Sequence, residues 1–286
     1  MRRIRIAITT LALTAAGFGL FVAVRAKPPG ADGAKPASGP VATATIDLDA
    51  RTIDLTYPFG ADTIYWPTDP SFRWEKRAWG RSPRGYWYAS ATYGASEHGG
   101  THLDSPIHFG EGQATVDQIP LSRLIGPAVV VDVARACERD RDYRLRVDDL
   151  VAWESAHGRI PDGAIVLVRT GWGRSWPDKA RYLGSDTPGD TAHLHFPGIS
   201  REAAEWLARQ RKVDGVGIDT ASLDHGPSRD FIAHQVLNGA GIYGLENVAN
   251  LGQLPESGAT LIALPMKIQG GSGAPTRVIA ILPSHP

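Results

Sequence analysis

Twelve residues, His98-Gly99-Gly100-Thr101-His102-Leu103-Asp104-Ser105-Pro106-Ile107-His108-Phe109, constrain the fold of this chain more than any other stretch. Three of the chain's nine histidines fall here, beside an aspartate. Paired glycines are costly inside a helix, so a helical spacing of the histidines is disfavoured and an extended segment is expected. In such a segment His102 and Asp104 point to the same side, and His98 and His108 share that parity. Pro106 should end the regular strand before His108 is reached. Imidazole and carboxylate are the ligands that Zn2+ and Mn2+ accept. His98, His102 and Asp104 are therefore candidate metal ligands, with His108 held a few ångströms away. The competing reading, hydrogen-bonded structural histidines, suits a lone histidine better than three so close together.

Composition narrows the possible partners. Thirty basic residues balance thirty acidic ones over 286 positions, which leaves no electrostatic footprint for nucleic acid. The hydrophobic share of 42% is that of a globular protein. A single cysteine, Cys137, excludes an internal disulfide and follows the apolar run Ala128 to Val131, as a buried structural thiol would.

The N-terminus differs in kind. Arg2, Arg3 and Arg5 precede an uncharged, mostly apolar stretch from Ile6 to Val24, and Val24-Arg25-Ala26 offers small residues where a signal peptidase reads. Residues 1–26 are expected to be a signal peptide or a retained anchor, the only membrane association foreseen. Residues 27–45, rich in Pro, Gly and Ala, read as a flexible linker. A periplasmic or secreted location follows from this layout. Residues 46–286 form the folded part.

That part shows no second linker or repeat. Strands are expected at 52–56, 128–133, 164–170, 213–218, 260–265 and 277–282, several as continuous apolar runs buried on both faces. Helices are expected at 147–157, with early acids, and at 200–211, opened by Ser200 and Glu202 and closed by basic residues. The pattern is α/β, a curved mixed sheet or barrel with few helices.

Ligands from elsewhere should complete the metal site. His234 and Glu246 are candidates, because Glu246 lies among apolar residues where an unpaired carboxylate is expensive. A helix-start glutamate and a surface histidine remain the bland alternative for this pair.

Here a family resemblance emerges. The segment 98–109 is similar to the HxGTHxDxPxHF signature of the metal-dependent cyclase family, which includes bacterial kynurenine formamidases and isatin hydrolases. Gly217-Ile218-Asp219-Thr220-Ala221-Ser222-Leu223-Asp224, the His234/Glu246 pair, and Asp54-Leu55-Thr56 with Tyr65-Trp66-Pro67 are further matches. The resemblance implies a single domain, a mixed-sheet swivelling β/β/α-type barrel, assembled as a homodimer or homotetramer. It implies that His98, His102 and Asp104 bind a first ion, with Asp104 bridging to a second held by His234 and Glu246. It also implies that His108 moves protons and that Trp66 packs on the substrate. His225, at the end of the second match, is a candidate substrate contact. Extra sequence relative to the compact formamidases falls around Phe72 to Tyr93 and Gly171 to Phe196.

The expected function is metal-dependent hydrolysis, with one or two Zn2+ or Mn2+ ions, of the C–N bond of an amide, formamide or lactam. Aromatic residues concentrated between Trp66 and Tyr93 suit a flat aryl substrate, such as N-formylkynurenine or isatin, if they line a pocket, though core packing competes. Interleaved Arg73, Lys76, Arg77, Arg81 and Arg84 are either carboxylate ligands or a solvated face. A cyclase or dehydratase and a non-catalytic envelope binding protein are the other readings.

Overall fold

The computed structural model describes residues 52–282, so the expected signal peptide or anchor (1–26) and linker (27–45) lie outside the described residues. The strands are β1 (Thr52–Asp54), β2 (Arg73–Arg81), β3 (Trp87–Gly94), β4 (His102–Asp104), β5 (Ile125–Asp132), β6 (Arg144–Leu145), β7 (Ile165–Arg169), β8 (Gly198–Ile199), β9 (Gly215–Ile218), β10 (Tyr243–Glu246), β11 (Thr260–Pro265) and β12 (Gly273–Ile281). The helices are α1 (Ala134–Cys137), α2 (Val147–His157), α3 (Lys179–Leu183), α4 (Arg201–Gln210) and α5 (Ile232–Gly239).

The large sheet runs β1-β12-β11-β5-β7-β9-β10-β4, and β4 pairs with β12, so seven strands close into a mixed barrel. β5, β7, β9 and β10 are mutually parallel, while β4, β11 and β12 join antiparallel. Among the described residues no helix is long and apolar enough to cross a membrane.

Strand alternation sorts the apolar side chains into two cores. Ala128 and Val130 of β5 with Ile165 and Leu167 of β7 point into the barrel, beside Leu103, Tyr243, Leu245 and Leu261. Val129, Val131, Val166 and Val168 point outward and meet Leu150 and Trp153 of α2, Leu207 of α4 and Leu237 of α5. These strands read as continuous apolar runs because both faces are covered. α4 starts where Ser200 Oγ accepts a hydrogen bond from Ala203 N–H. α2 stops at Gly158, whose φ of 84° few other residues tolerate.

β9 shows how full the barrel is. Val216 and Ile218 face the helices, whereas the inward positions are Gly215 and Gly217. A Cβ at Gly217 would lie 2.7 Å from Leu167 Cδ2, and one at Gly215 would lie 2.3 Å from the Tyr243 ring. Large neighbours occupy the space that a side chain would need. Gly217→Val should therefore destabilise the protein by about 1–3 kcal/mol or more through overpacking, read as a shifted urea midpoint. Gly80→Ala, at an open position on β2 with nothing within 4 Å, should leave that midpoint nearly unchanged.

Candidate active site

β4 carries the site because its three residues divide between the two faces of the barrel wall. Leu103 enters the inner core, so His102 and Asp104 project from the other face. Antiparallel register with β10 sets Glu246 opposite His102 and Gly244 opposite Asp104. On the other flank Gly273 of β12 lies opposite Asp104. Both glycines make room: a Cβ at Gly244 would stand 2.9 Å from Asp104 Oδ2, and one at Gly273 would stand 2.5 Å from His98 Cε1. As the sequence suggests, the strand ends before Pro106, and 106–108 form a 3-10 turn that returns His108 to the same region.

The donors converge. Asp104 Oδ1 lies 2.7 Å from His98 Nδ1 and 3.2 Å from His102 Nε2. Asp104 Oδ2 lies 3.4 Å from His234 Nε2. Glu246 reaches His234 Nε2 at 3.0 Å and His102 Nε2 at 3.4 Å. His102, Asp104, His234 and Glu246 are all buried.

Outer hydrogen bonds fix which ring nitrogen faces inward. His102 Nδ1–H donates to the Gly100 carbonyl at 3.0 Å, and His234 Nδ1–H donates to Asp224 Oδ2 at 2.7 Å. His98 Nε2–H donates to Ser272 Oγ at 2.8 Å, and that hydroxyl donates to Glu97 Oε2 at 2.7 Å. In a neutral imidazole the remaining nitrogen is a lone pair. Three lone pairs are thus turned toward two carboxylates, an arrangement that only positive charge between them can reconcile. His102 Nε2 and Asp104 Oδ2 are buried atoms without a hydrogen-bond partner. Burial opposes a charged His102, yet Asp104 and Glu246 outweigh it and raise its pKa to about 9. The same carboxylates hold His234 above its usual range against burial, and Asp104 is held low by its imidazole neighbours despite burial. The pull on protons is what a site built for a divalent cation shows before that cation is bound. Donor atoms of His98, Asp104 and His108 lie within 4.8 Å of one another, as do those of His102, Asp104 and Glu246. Asp104 belongs to both groups.

His108 differs from the other imidazoles. Its ring stacks on His98 at 3.9 Å, and among the described residues nothing hydrogen-bonds its nitrogens. Burial, with His98, His234 and His102 adding to it against the pull of Asp104, lowers its pKa to about 3. The ring is neutral at ordinary pH.

These residues border a cavity of about 220 Å³. Trp66, Phe109 and Phe231 form its aromatic walls; Phe231 is 5.8 Å from Trp66 and 5.6 Å from Phe109, centroid to centroid. Tyr65, Asp69 and Ser222 also line it. A wider cleft of about 710 Å³ elsewhere is lined mostly by charged groups and contains none of the convergent donors.

Two expectations are corrected. His225, a candidate substrate contact, lines that second cleft and not the cavity. The reason is its neighbour: Asp224 turns inward, accepting from Ala233 N–H, His234 N–H and His234 Nδ1–H at the start of α5, so the chain carries His225 away. The aromatics from Trp74 to Tyr93 are neither core nor cavity wall but stand exposed on β2, on β3 and, for Tyr86, in the segment between them. Among the described residues the remaining histidines have partners of their own: His157 Nδ1 meets Trp153 O, His193 meets Asp190, and His195 meets Asp142. Asp219 accepts from Thr170 and Gly171 N–H, holding a turn.

Sequence reasoning passed over Asp224, Ser272, Phe109 and Phe231. Asp224 carried a signal, since it ends a matched motif just before the His234 helix. Ser272 carried none, for it reaches His98 across 174 positions.

The chain matches the model of the cyclase family, described as putative cyclase, over residues 53–225. It is 37% identical over 195 residues to an isatin hydrolase of Roseibium aggregatum, covering 65% of this chain and 72% of that protein. It is 32% identical over 236 residues to a kynurenine formamidase of Salinibacter ruber, covering 79% and 95%. A solved isatin hydrolase bound to the product analogue thioisatinate superposes with a TM-score of 0.75 at 33% identity, over 82% of this chain and 92% of that one. With the barrel and the convergent histidine and carboxylate donors, these matches make the chain a member of the cyclase family.

Proposed function

We propose that this protein is a metal-dependent hydrolase that opens the C–N bond of an aryl lactam or formamide, of the isatin or N-formylkynurenine kind. The observation that carries this reading is the set of three outer-bonded imidazoles facing two buried carboxylates at the end of an aromatic-walled cavity, with an unbonded imidazole beside them. Relatives named isatin hydrolase and kynurenine formamidase support it.

His98, His102, Asp104, His234 and Glu246 would hold the cation; with only nitrogen and oxygen donors, Zn2+ or Mn2+ suits the set, and Asp104, shared by both donor groups, suits one ion or two. When bound, such an ion lowers the pKa of water from about 15.7 toward 7 and polarises a carbonyl. The protein's side chains do the rest. Trp66, Phe109 and Phe231 clamp a flat ring and keep bulk water from it. His108, neutral and free of hydrogen bonds, accepts the proton of the attacking water as its oxygen bonds to the carbonyl carbon. As the C–N bond breaks, the same ring returns that proton to the departing nitrogen, leaving an amine and a carboxylic acid, which gives up its own proton to solvent. The stacked His98 ring holds it in place.

We further propose that residues 1–26 export the protein to the periplasm or beyond and are removed after Ala26. The Arg2-Arg3 start, the apolar run and the small residues before Lys27 support this.

Metal-reconstituted protein should turn over isatin or N-formylkynurenine; turnover of neither overturns the substrate assignment. His108→Ala should keep its metal and lose about 10²–10⁴-fold in kcat. Asp104→Ala should lose the metal itself, checked by elemental analysis of the purified protein. The intact mass of protein recovered from a periplasmic fraction should begin at Lys27; a mass including residues 1–26 would show a retained anchor instead.

A further inference from the structure

Two carboxylates line the cavity, and only one of them is engaged by the imidazoles. Glu246 faces His234 and His102 at 3.0 and 3.4 Å. Asp69, half-buried, pairs with no cation among the described residues. Its Oδ2 accepts from Ser96 Oγ at 2.8 Å, and none of the described residues donates to its Oδ1. A few polar groups set among apolar walls are what orient a ligand in such a cavity.

Local structure holds this carboxylate in place. Trp66-Pro67-Thr68-Asp69 is a turn closed by Asp69 N–H, which donates to the Trp66 carbonyl at 2.9 Å. Proline at its second position has the φ that such a turn needs. Gly189 N–H ties down the Pro67 carbonyl at 2.9 Å. The segment leading into the turn is docked on the metal-motif segment in antiparallel order. Gly100 N–H donates to the Ile64 carbonyl at 2.9 Å, Tyr65 bridges to Gly99, and Asp69 meets Ser96. Trp66 and Asp69 therefore come to the cavity wall together, as ring and carboxylate of one fixed turn.

We propose that Asp69 is a specificity-determining residue, which binds an ammonium group on the side chain of the aryl substrate and disfavours substrates bearing a carboxylate there. This rests on the reading of the cavity as a site for hydrolysis of aryl C–N bonds. Three observations carry it. A carboxylate only accepts, so its open oxygen calls for a donor, and an ammonium offers three N–H groups with the opposite charge. A flat ring lying against Trp66 brings its substituent beside Asp69, because both residues belong to the same turn. Lastly, among the described residues no Lys or Arg lines the cavity. The basic residues of β2, Arg73, Lys76, Arg77 and Arg81, stand exposed on its ribbon with β3. A substrate carboxylate would find no counter-charge at the wall and would meet Asp69 as a like charge.

The test uses three ortho-formamidophenyl ketones that differ only at the end of the alkyl tail, which is ammonium, methyl or carboxylate. With metal-reconstituted full-length protein, kcat/KM should be about tenfold or more higher for the ammonium tail than for the methyl tail. The carboxylate tail should be poorest. Asp69→Asn keeps an acceptor for Ser96 Oγ, so a residue that merely holds the turn would leave these ratios alone. The proposal expects the ammonium-to-methyl ratio to fall toward one and the carboxylate substrate to gain. In the wild type the same ratio should shrink in about 1 M salt, where the Debye length is about 3 Å; this decides the matter if the variant loses its fold by circular dichroism. Turnover of none of the three would fail the hydrolase reading alone. Calorimetric titration of the three corresponding anilines then decides for Asp69, with the ammonium tail bound about tenfold tighter than methyl by the wild type and not by Asp69→Asn. Equal values for the ammonium and methyl tails, a preference for carboxylate, or a ratio unmoved by Asp69→Asn or by salt would overturn the proposal.

Discussion

Two carboxylates taken out of water beside three imidazole lone pairs are the constraint from which the site follows. Asp104 and Glu246 are buried within hydrogen-bonding range of His98, His102 and His234. No arrangement of these groups is comfortable without added positive charge. A soluble protein can maintain such a cluster only on a rigid support, because relaxation would pull the groups apart or admit water. The barrel wall provides that support. Its inner face is closed by Leu103 and Leu245, and its outer face presents the polar groups on the same two strands.

Rigidity alone would not aim the nitrogens. Each inward-facing nitrogen is set by a bond made on the far side of its ring, to a backbone carbonyl, to Asp224 or to Ser272. These outer partners come from a glycine turn, a helix start and a strand approach, so three unrelated parts of the fold must agree before the donors converge. Asp224 joins two tasks, since the carboxylate that turns His234 also accepts the first free N–H groups of α5. Helix stability and donor orientation are therefore linked through one side chain.

Features governed by local rules were legible in the sequence. The extended course of His102 to Asp104, the break at Pro106, helix α2 at 147–157 and the Ser200 start of α4 follow from glycine cost, proline geometry and capping. The apolar runs of β5, β7, β9 and β11 identify themselves. Features set by long-range register were not. β10 is four residues long and α5 eight, too short for periodicity to announce. The β2–β3 ribbon lacks an alternating apolar pattern, because its parity shifts midway and neither face is buried. Ser272 belongs to the site only through closure of the barrel. His225 went astray because adjacent residues at a tight junction diverge, and only Asp224 was needed inside.

The pleat of β4 has a consequence for how such a chain can diverge. Strand residues alternate faces, so inserting or deleting one residue between Gly100 and Ser105 would exchange Leu103 with His102 and Asp104. Imidazole and carboxylate would then be driven into the hydrocarbon centre and a leucine turned toward the donors. Fold and chemistry would fail together, leaving no intermediate for selection to repair. This short strand is therefore a fixed frame, whose spacing cannot change by one residue without turning its donors inward.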